Sequence, residues 1–556
     1  MVCITRRAEG SEDSGYGSQS ATNGFTTIEH WVASKDKFRV ASSGLPIPKK
    51  SRVGQVNDEL REVYETSIAH EIPNILATHG ITFRTYGLYR LEPLDETYEA
   101  RDVLRILTSN TNPAAWRTAA NYVHNYVKQR ALSHTLASLQ VEISNAHMMY
   151  DDVSYAIPDD PTLIESLTQV KGRIVNEVSA SMQNVWTSIA FHMRSCRHTN
   201  ERQKPTVIVF CRPKSTYDFA SAEARLSQIL IELEMQVHLE FLPGRVVLAP
   251  SELPMTLPMA TAAESLPQNP VNGSSIGIRG RDAEAGTLGG WLILSLPREN
   301  RKVKCALTCY HAIRSGDASV SAHTDKHGVH WNDQRGHLDI EYPAALDSKE
   351  AMAHLEELCK NEPHDQELKQ QHCMLPRLIS GPGIGKVLLA SGYHRKDNQC
   401  LDWALIESPS TFSLNKPPRS PLRNSPGFML PGNGLRYNPH PDANIRSFGY
   451  PVPNNWVAKE GRTTTTSGII NRMSAIVHWD NSGNPSEETE VISSTADFAA
   501  DGDSGAFVVN VDGELVGLLF AVEKNVAGFD SGFMTPFSLI QDHVKEMTNG
   551  GYLSFD

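Results

Sequence analysis

The sequence predicts a multidomain protein with a mainly α-helical N-terminal region, a small α/β subdomain and an all-β C-terminal half. Apolar residues recur with spacings of three and four from Leu163 to Ile189, which is typical of a helix that buries one face. Apolar runs on both sides of a helical stretch within 201–250 indicate the α/β subdomain. After a proline-rich stretch the chain changes to short apolar segments separated by turn residues, which predicts the all-β half.

Size and charge exclude several classes of protein. The chain has 556 residues and a net charge of −12, so neither nucleic acid nor an anionic membrane is an expected partner. No run of 18 apolar residues occurs, and the first residues lack the apolar core of a secretory signal. Eight cysteines in so long a chain do not form a disulfide framework. We therefore expect a cytoplasmic protein, with the nucleus not excluded.

The N-terminal half divides into three predicted parts and a linker. Residues 1–56 read as a disordered or linker tail, 57–200 as the helical region, 201–250 as the α/β subdomain and 251–275 as a proline-rich linker. The expected helices cover 58–78, 97–109, 113–129, 133–145 and a long segment from 161, with a further helix at 218–234 and strands at 206–210, 237–241 and 245–248. Core packing is favoured over partner binding for the long helix, and no glycine-rich loop predicts a nucleotide site.

Two segments of the C-terminal half bring residues of catalytic type to strand ends. A strand at 286–294 and a partner at 302–308 form a predicted hairpin that ends just before His311. An apolar strand at 400–406 contains a single carboxylate, Asp402. A buried carboxylate is costly without a partner, and a histidine ring N–H would serve as one. The alternative is an edge-strand carboxylate that faces water.

The third segment is Ala500-Asp501-Gly502-Asp503-Ser504-Gly505, which an apolar, β-branched run follows at once. Glycines on both sides of the serine predict a tight loop that feeds a strand. Such a loop can direct the amides of Gly502 and Ser504 to one point, as an oxyanion hole requires. The alternative is an ordinary turn rich in glycine, aspartate and serine.

These segments together resemble the chymotrypsin-like (trypsin-fold) serine proteases over about residues 275–556. The likeness rests on the order His311, Asp402, Ser504, on the Leu-Thr-x-x-His, Asp-x-Ala-Leu and Gly-Asp-Ser-Gly motifs, and on a Gly-Arg-Thr-Thr hairpin at 461–464. Segments 514–520, 533–536 and a helix at 538–547 also fit the pattern. The resemblance implies two six-stranded antiparallel β-barrels with the site in the cleft between them.

The resemblance also implies roles for individual residues. Ser504 would be the nucleophile, His311 the general base and Asp402 its orienting carboxylate, while the amides of Gly502 and Ser504 would form the oxyanion hole. Phe498, Leu519 and Phe520 would bind substrate, a peptide or protein, with a small or apolar side chain preferred. No cofactor or metal is implied, and His-Glu-x-x-His is absent from the sequence.

The chain departs from that family in two notable ways. Secreted members become active when cleavage frees an N-terminus that pairs with the aspartate matching Asp503, yet no activation site is recognisable between Gly277 and Gly286. The protein would then fold active without cleavage or use another switch. A charged helical insertion at 346–374 separates the base from the carboxylate, and we expect a surface helix there rather than a partner-binding element.

Two classes of function remain open. The first is an intracellular serine endopeptidase whose N-terminal helical half regulates access or binds a protein partner. The second is a catalytically silent protease fold that serves as a scaffold or binding module. Within the enzyme class, the runner-up is esterase chemistry by the same three residues, although Ala506 stands where the Gly-x-Ser-x-Gly motif of α/β-hydrolases has its last glycine.

Overall fold

A computed structural model describes residues 24–248, 269–408 and 443–556 with gaps, together with 414–418, 428–429 and 436–437; the gaps are at 43, 96, 131–138, 199–200, 234, 283, 334, 481–483, 526–527 and 529. The chain forms two compact units, one of residues 1–245 and 524–528 and the other of 246–523 and 529–556. Most of the predicted linker at 251–275, and the first 23 residues of the predicted tail, lie outside the described residues.

The first unit is an α/β structure. Its helices are α1 Ile28–Lys35, α2 Asp58–Val63, α3 Ile72–Thr78, α4 Trp116–Arg130, α5 Pro161–Ser181 and α6 Phe219–Ile231. Its strands are β1 Thr26–Thr27, β2 Arg39–Ala41, β3 Ser51–Gly54, β4 Phe83–Pro93, β5 Arg101–Thr108, β6 Gln140–Ser144, β7 Asp152–Tyr155, β8 Trp186–Cys196, β9 Lys204–Cys211, β10 Thr216–Tyr217 and β11 His238–Leu248.

Two sheets organise this unit, so the prediction of a mainly helical region at 57–200 gave too little strand. The first sheet has the order β2-β6-β5-β4-β3, and the second contains β7, β8, β9 and β11. The predicted helix at 97–109 is wrong because β5 pairs with β4 on one side and with β6 on the other. The predicted helix at 133–145 is wrong over Gln140–Ser144, which is β6, while 131–138 lie outside the described residues.

The longest predicted helix is confirmed, although it ends earlier than the apolar pattern. Asp160 caps α5 by accepting hydrogen bonds from two amides of the first turn, and five apolar residues bury one face. The helix ends at Ser181, and Ile189, the last apolar position of the pattern, belongs to β8. The predicted β-α-β unit is β9, α6 and β11, with β9 and β11 parallel and the two strands expected at 237–248 merged into one.

The part of the predicted tail that the structure describes is not disordered. It contains α1, β2 and β3, and β2 pairs with β6 in the register of Val40 opposite Ile143. Both of these side chains are buried in the same apolar core, which explains why the segment is ordered.

The second unit is mostly β. Its strands are β12 Ser275–Ile278, β13 Gly286–Thr287, β14 Gly290–Leu296, β15 Arg301–Thr308, β16 Asp339–Glu341, β17 Gly385–Ala390, β18 Arg395–Lys396, β19 Gln399–Cys400, β20 Ala404–Glu407, β21 Phe428–Met429, β22 Arg436–Tyr437, β23 Trp456–Glu460, β24 Thr465–Ile470, β25 Ala475–Val477, β26 Ser486–Ile492, β27 Phe507–Asn510, β28 Leu515–Asn525, β29 Ser531–Pro536 and β30 Tyr552–Ser554. Its helices are α7 Ala318–His327, α8 Ala345–Asn361, α9 Gln366–Ile379 and α10 Phe537–Met547.

Two sheets make up most of this unit. One has the order β13-β12-β16-β17-β20-β15-β14-β30. In the other, β26, β24, β23, β27, β28 and β29 pair in sequence, and β29 pairs back with β26, so the six strands close into a ring. Among the described residues, the pairings of the first sheet run from β13 to β30 without such a return.

One apolar core joins the two sheets. It contains Leu307 and Leu405 from the first sheet and Val509 and Leu518 from the second. The predicted hairpin is confirmed, because β14 and β15 pair from Gly290 to Arg301 without interruption. Cys309, Leu401 and Phe507, each within three positions of a candidate residue, belong to the same core.

The insertion at 346–374 forms two helices, α8 and α9, which pack on each other through Ala351, Leu355 and Leu375. The prediction of a surface helix is incomplete, because the first turn of α8 buries Asp347 and Ser348. No helix within the described ranges has both the length and the apolar character that crossing a bilayer requires.

Candidate active site

The pairing of β15 with β20 brings His311 to Asp402. Thr308 lies opposite Ala404 in the register, so the residues just beyond β15 and just before β20 are neighbours. The backbone N–H of His311 donates to Asp402 Oδ1 at 3.0 Å, and its ring Nδ1 bonds to Asp402 Oδ2. The sequence had predicted Asp402 inside a strand, but it lies just before β20.

Both side chains of this pair are buried, so the hydrogen bonds between them are shielded from water. The side chain of Asp402 is 1% exposed and that of His311 is 3% exposed. A buried carboxylate that accepts from both the ring and the backbone fixes the imidazole with its proton on Nδ1 and with Nε2 directed elsewhere. Among the described residues, Nε2 of His311 has no hydrogen-bond partner.

Ser504 is fully buried, and its hydroxyl donates to the carbonyl of Phe520 at 3.1 Å. The structure therefore places no hydrogen bond between Ser504 and His311. Thr287 nevertheless links their two segments, because its N–H donates to the Ser504 carbonyl at 2.9 Å and its own carbonyl accepts from the Thr308 hydroxyl at 2.7 Å. A change of the serine rotamer is the motion that would direct its hydroxyl away from Phe520.

The two predicted oxyanion-hole amides are unused by the protein. Gly502 and Ser504 are buried, and within the described part of the chain neither backbone N–H donates a hydrogen bond. Buried amides without a partner are rare in folded proteins and cost free energy. The two amides are therefore donors in the serine loop that remain available to an oxygen that carries negative charge.

Neighbouring hydrogen bonds orient these amides. The carbonyl that precedes the Gly502 amide accepts from the Thr463 hydroxyl at 2.7 Å. The carbonyl that precedes the Ser504 amide accepts from the N–H of Ala506 at 3.0 Å. The C=O and N–H of a trans peptide point in opposite directions. The N–H of Gly502 therefore points away from the Thr463 hydroxyl, and the N–H of Ser504 points away from the N–H of Ala506.

Asp503 ties the serine loop to the hairpin between β23 and β24. Its carboxylate pairs with the ammonium of Lys459, and both side chains are 0% exposed. The other donors are the backbone amides of Ala500, Thr463 and Thr464 and the hydroxyl of Thr464, at distances from 2.5 to 3.1 Å. A side chain at Gly461 would place its Cβ 2.3 Å from Asp503 Oδ1, so only glycine fits that position.

The ammonium of Lys459 is fully partnered. Besides Asp503 it donates to the carbonyl of Thr464 at 2.9 Å and to the hydroxyl of the same residue. Burial lowers the pKa of Lys459, and the charge of Asp503 opposes that effect. The loop that carries Ser504 thus has an internal counter-charge, supplied by a residue to which the sequence had assigned no role.

The three predicted substrate-binding side chains lie in the core. Phe498, Leu519 and Phe520 are at most 1% exposed. The ring of Phe498 lies between two glycines, such that a Cβ at Gly532 would be 2.6 Å and one at Gly468 3.0 Å from it. Leu519 and Phe520 bond to the segment around Ser504 through their backbones: their carbonyls accept from the Gly505 N–H and the Ser504 hydroxyl, and the Leu519 N–H donates to the Ala506 carbonyl.

Cys309, His311 and Asp402 are the one group in the described residues whose ligand atoms lie close enough, within 4.8 Å, to hold a metal ion. Three of its ligand atoms are already used within the protein, because His311 Nδ1 binds Asp402 Oδ2 and the Cys309 thiol donates to the Leu519 carbonyl at 3.2 Å. Burial raises the pKa of the Cys309 thiol well above its usual value, which disfavours the thiolate that metals bind. These residues fit a histidine–carboxylate pair better than a metal site.

The sequence missed Lys459, Thr287 and Thr463 as residues that hold the site. The available signal was weak: a lysine directly after three apolar residues at 456–458 and a threonine-rich hairpin. Their partners are distant along the chain: Asp503 lies 44 positions after Lys459, and Gly502 lies 215 positions after Thr287. Pattern and spacing alone do not reveal such pairs.

No known protein family matches the chain, and no curated protein matches it. Thermobifida fusca Protease A is a similar solved structure, at 11% identity over 51% of this chain and 98% of that chain, with a TM-score of 0.27. A glutamic acid-specific serine protease gives 11% identity over 52% of this chain and 100% of that chain, with a TM-score of 0.26. The active form of the Rv3671c protease of M. tuberculosis gives 10% identity over 54% and 91%, with a TM-score of 0.22. TM-scores this low establish neither a shared fold nor a shared activity.

Proposed function

We propose that the protein is a serine endopeptidase in which Ser504, His311 and Asp402 act as the catalytic triad. The buried pair of Asp402 and His311 is the observation that carries the proposal. Residues 91 positions apart in the chain meet through two hydrogen bonds, and the remaining ring nitrogen of the histidine is left without a partner. A base of this kind, held in one tautomer, is what nucleophilic catalysis by a serine requires.

The proposed reaction uses these groups in turn. Ser504 Oγ attacks the peptide carbonyl while its proton moves to His311 Nε2, and the amides of Gly502 and Ser504 bind the oxyanion that forms. His311 then donates the proton to the leaving amine, which yields an acyl-enzyme. Water, deprotonated by the same nitrogen, releases the acyl group and restores the serine.

An internal ion pair supports activity without prior cleavage of the chain. The counter-charge of Asp503 is Lys459, which is part of the folded unit, and the loop around Ser504 is already hydrogen-bonded on both sides. We therefore propose that the protein folds directly into its active form, the first of the two routes that the missing activation site left open.

The depth of the substrate pocket follows from Phe498. Its ring occupies the space between Gly468 and Gly532, where any Cβ would meet it at 3.0 Å or less. If this position lines the pocket, as the resemblance implies, little room remains for a long side chain. We propose a preference for small or apolar residues before the cleaved bond.

A catalytically silent scaffold is the second candidate, and one observation favours it. The hydroxyl of Ser504 is bonded to Phe520 rather than to His311, so the resting arrangement lacks the bond that activates the serine. Catalytic hydrogen bonds are often long or misaligned without substrate, which is why we prefer the enzyme.

A fluorophosphonate probe distinguishes the two candidates. We expect covalent labelling at Ser504 in the wild type and none in Ser504→Ala. Ser493→Ala is the matched control, because Ser493 is also a buried loop serine, 2% exposed, whose hydroxyl donates to the carbonyl of Ala496. Absence of labelling in folded wild-type protein, or labelling that survives Ser504→Ala, would favour the scaffold.

The setting of this activity is also part of the proposal. All seven described cysteines are free thiols, which suits a reducing intracellular compartment. We propose a cytoplasmic protein whose N-terminal half binds a protein partner or regulates access of peptide or protein substrates. Loss of activity or of partner capture on removal of residues 1–245 would test this, provided that the remaining unit is folded by circular dichroism.

A further inference from the structure

The inserted helix α8 contributes a buried charge next to the serine loop. Asp347 lies in its first turn and forms a bidentate ion pair with Arg462, and both side chains are 1% exposed. The hydroxyl of Ser275 donates to the same carboxylate. Position near a helix N-terminus also favours a negative charge.

The backbone of Arg462 connects this ion pair to the serine loop through hydrogen bonds. Its N–H donates to the hydroxyl of Thr287 at 2.8 Å, and that hydroxyl donates to the carbonyl of Gly502 at 2.6 Å. The N–H of Thr287 meanwhile holds the carbonyl of Ser504 at 2.9 Å. One threonine therefore fixes both residues whose amides face the proposed oxyanion.

We propose that Asp347 is a positioning residue for the serine loop, which it holds through Arg462 and Thr287. The inference rests on the proposed function, because the loop matters only if Ser504 reacts. Asp347 touches neither the substrate nor the reacting atoms. Its effect is to hold Gly502 and Ser504 by their carbonyls, and so to fix the stretch of backbone whose amides stabilise the oxyanion.

The hydrogen bonds themselves indicate why the charge is needed. A guanidinium that is 1% exposed requires a counter-charge, and Asp347 supplies it in the two-pronged geometry that arginine favours. Without it, Arg462 would move toward water and carry its own backbone N–H away from Thr287. On this proposal the insertion at 346–374 supports the active site and is not only a surface element.

The test compares phosphonylation of Ser504 in the wild type and in Asp347→Asn, each at a temperature well below its own melting temperature. Saturation kinetics separate the maximal labelling rate from the probe concentration at half saturation. We expect the maximal rate to fall at least tenfold, with the half-saturating concentration within twofold of the wild type. A merely structural role would lower the melting temperature and leave the rate per folded molecule unchanged.

Two further variants keep the test decisive. Lys349→Met removes an exposed ion pair with Asp282 from the same helix, so we expect wild-type labelling. Thr287→Val removes the connecting hydroxyl with little change of volume and should slow labelling as Asp347→Asn does, even if the latter fails to fold. If folded Thr287→Val or folded Asp347→Asn is labelled at the wild-type rate, the positioning role of Asp347 is wrong, while the proposed function is unaffected. An unlabelled wild type would instead overturn the proposed function, and this inference with it.

Discussion

Replacing Lys459 with methionine tests the internal ion pair most directly. Methionine keeps the length and apolar stem of the side chain but removes the ammonium, which leaves the carboxylate of Asp503 buried at 0% exposure without a counter-charge. Breaking a buried pair from one side costs about 3–5 kcal/mol. Because four other donors still bind Asp503, we expect the lower end, about 3 kcal/mol.

Thermal unfolding of the purified protein measures this loss. At about 2–4 °C for each kcal/mol, the transition of the second unit should fall by roughly 6–12 °C in Lys459→Met. The matched control is Lys386→Met, because Lys386 forms an ion pair with Asp339 in which both side chains are more than half exposed. Exposed pairs contribute about 0–1 kcal/mol, so the control should melt close to the wild type.

A double variant separates the charge from the packing. Lys459→Met with Asp503→Asn removes both charges, and we expect it to recover part of the lost stability, since neutral replacement of a buried pair is tolerated. The same samples should show slower labelling of Ser504 by a fluorophosphonate in Lys459→Met, as the loop loses its anchor. If Lys459→Met has the same melting temperature as Lys386→Met, the ammonium of Lys459 does not hold the serine loop.

Three further outcomes follow from the site and its surroundings. Asp402→Asn should lower peptide cleavage by roughly 10³–10⁴-fold without unfolding the protein, since an amide can hold His311 in the wrong tautomer. Gly505→Ala should lower the free energy of unfolding by at least about 2 kcal/mol, because its φ is +97° and the new Cβ would lie 2.3 Å from the Thr287 carbonyl. Burial raises the pKa of Glu488 from 4.5 to about 7, so the folded state binds its proton more tightly than the unfolded state does. This proton binding stabilises the folded state by about 3 kcal/mol below about pH 4.5, and the stabilisation is lost as the pH rises to 7. Glu488→Gln should remove this dependence of stability on pH, and the variant should melt above the wild type at pH 8.

Each of these outcomes has a control or a contrary result. Equal turnover by Asp402→Asn and the wild type would remove the carboxylate from the proposed triad. Gly513→Ala also has a positive φ, +79°, but no atom within 4 Å of the new Cβ, so it should cost less than Gly505→Ala. Parallel melting curves of Glu488→Gln and the wild type from pH 4 to 8 would show that Glu488 does not titrate in this range.

Local patterns predicted the elements that are self-contained. The spacing of apolar residues in α5 and the turn between β14 and β15 are properties of short segments, and both are confirmed. The strands β5 and β6 were mistaken for helices because their conformation depends on partners in the sheet rather than on their own propensity. The strand end before His311 and the loop around Ser504 were recognisable because each is a compact motif.

What supports the site could not be predicted in this way. Lys459 with Asp503, and Asp347 with Arg462, are ion pairs between segments 44 and 115 residues apart. Each charged side chain alone resembles a solvated surface residue in the sequence. Only the closing of the second sheet and the docking of α8 place them at 0–1% exposure, where they acquire their energetic importance.

The thiol of Cys309 has a practical consequence for inhibitor studies. It is fully buried, two residues before the proposed base, and its raised pKa keeps it protonated. Alkylating reagents attack thiolates that they can reach, so iodoacetamide should spare this position in the native protein. Inactivation by such a reagent would therefore report on an outer cysteine such as Cys373, and would not identify the protein as a cysteine hydrolase.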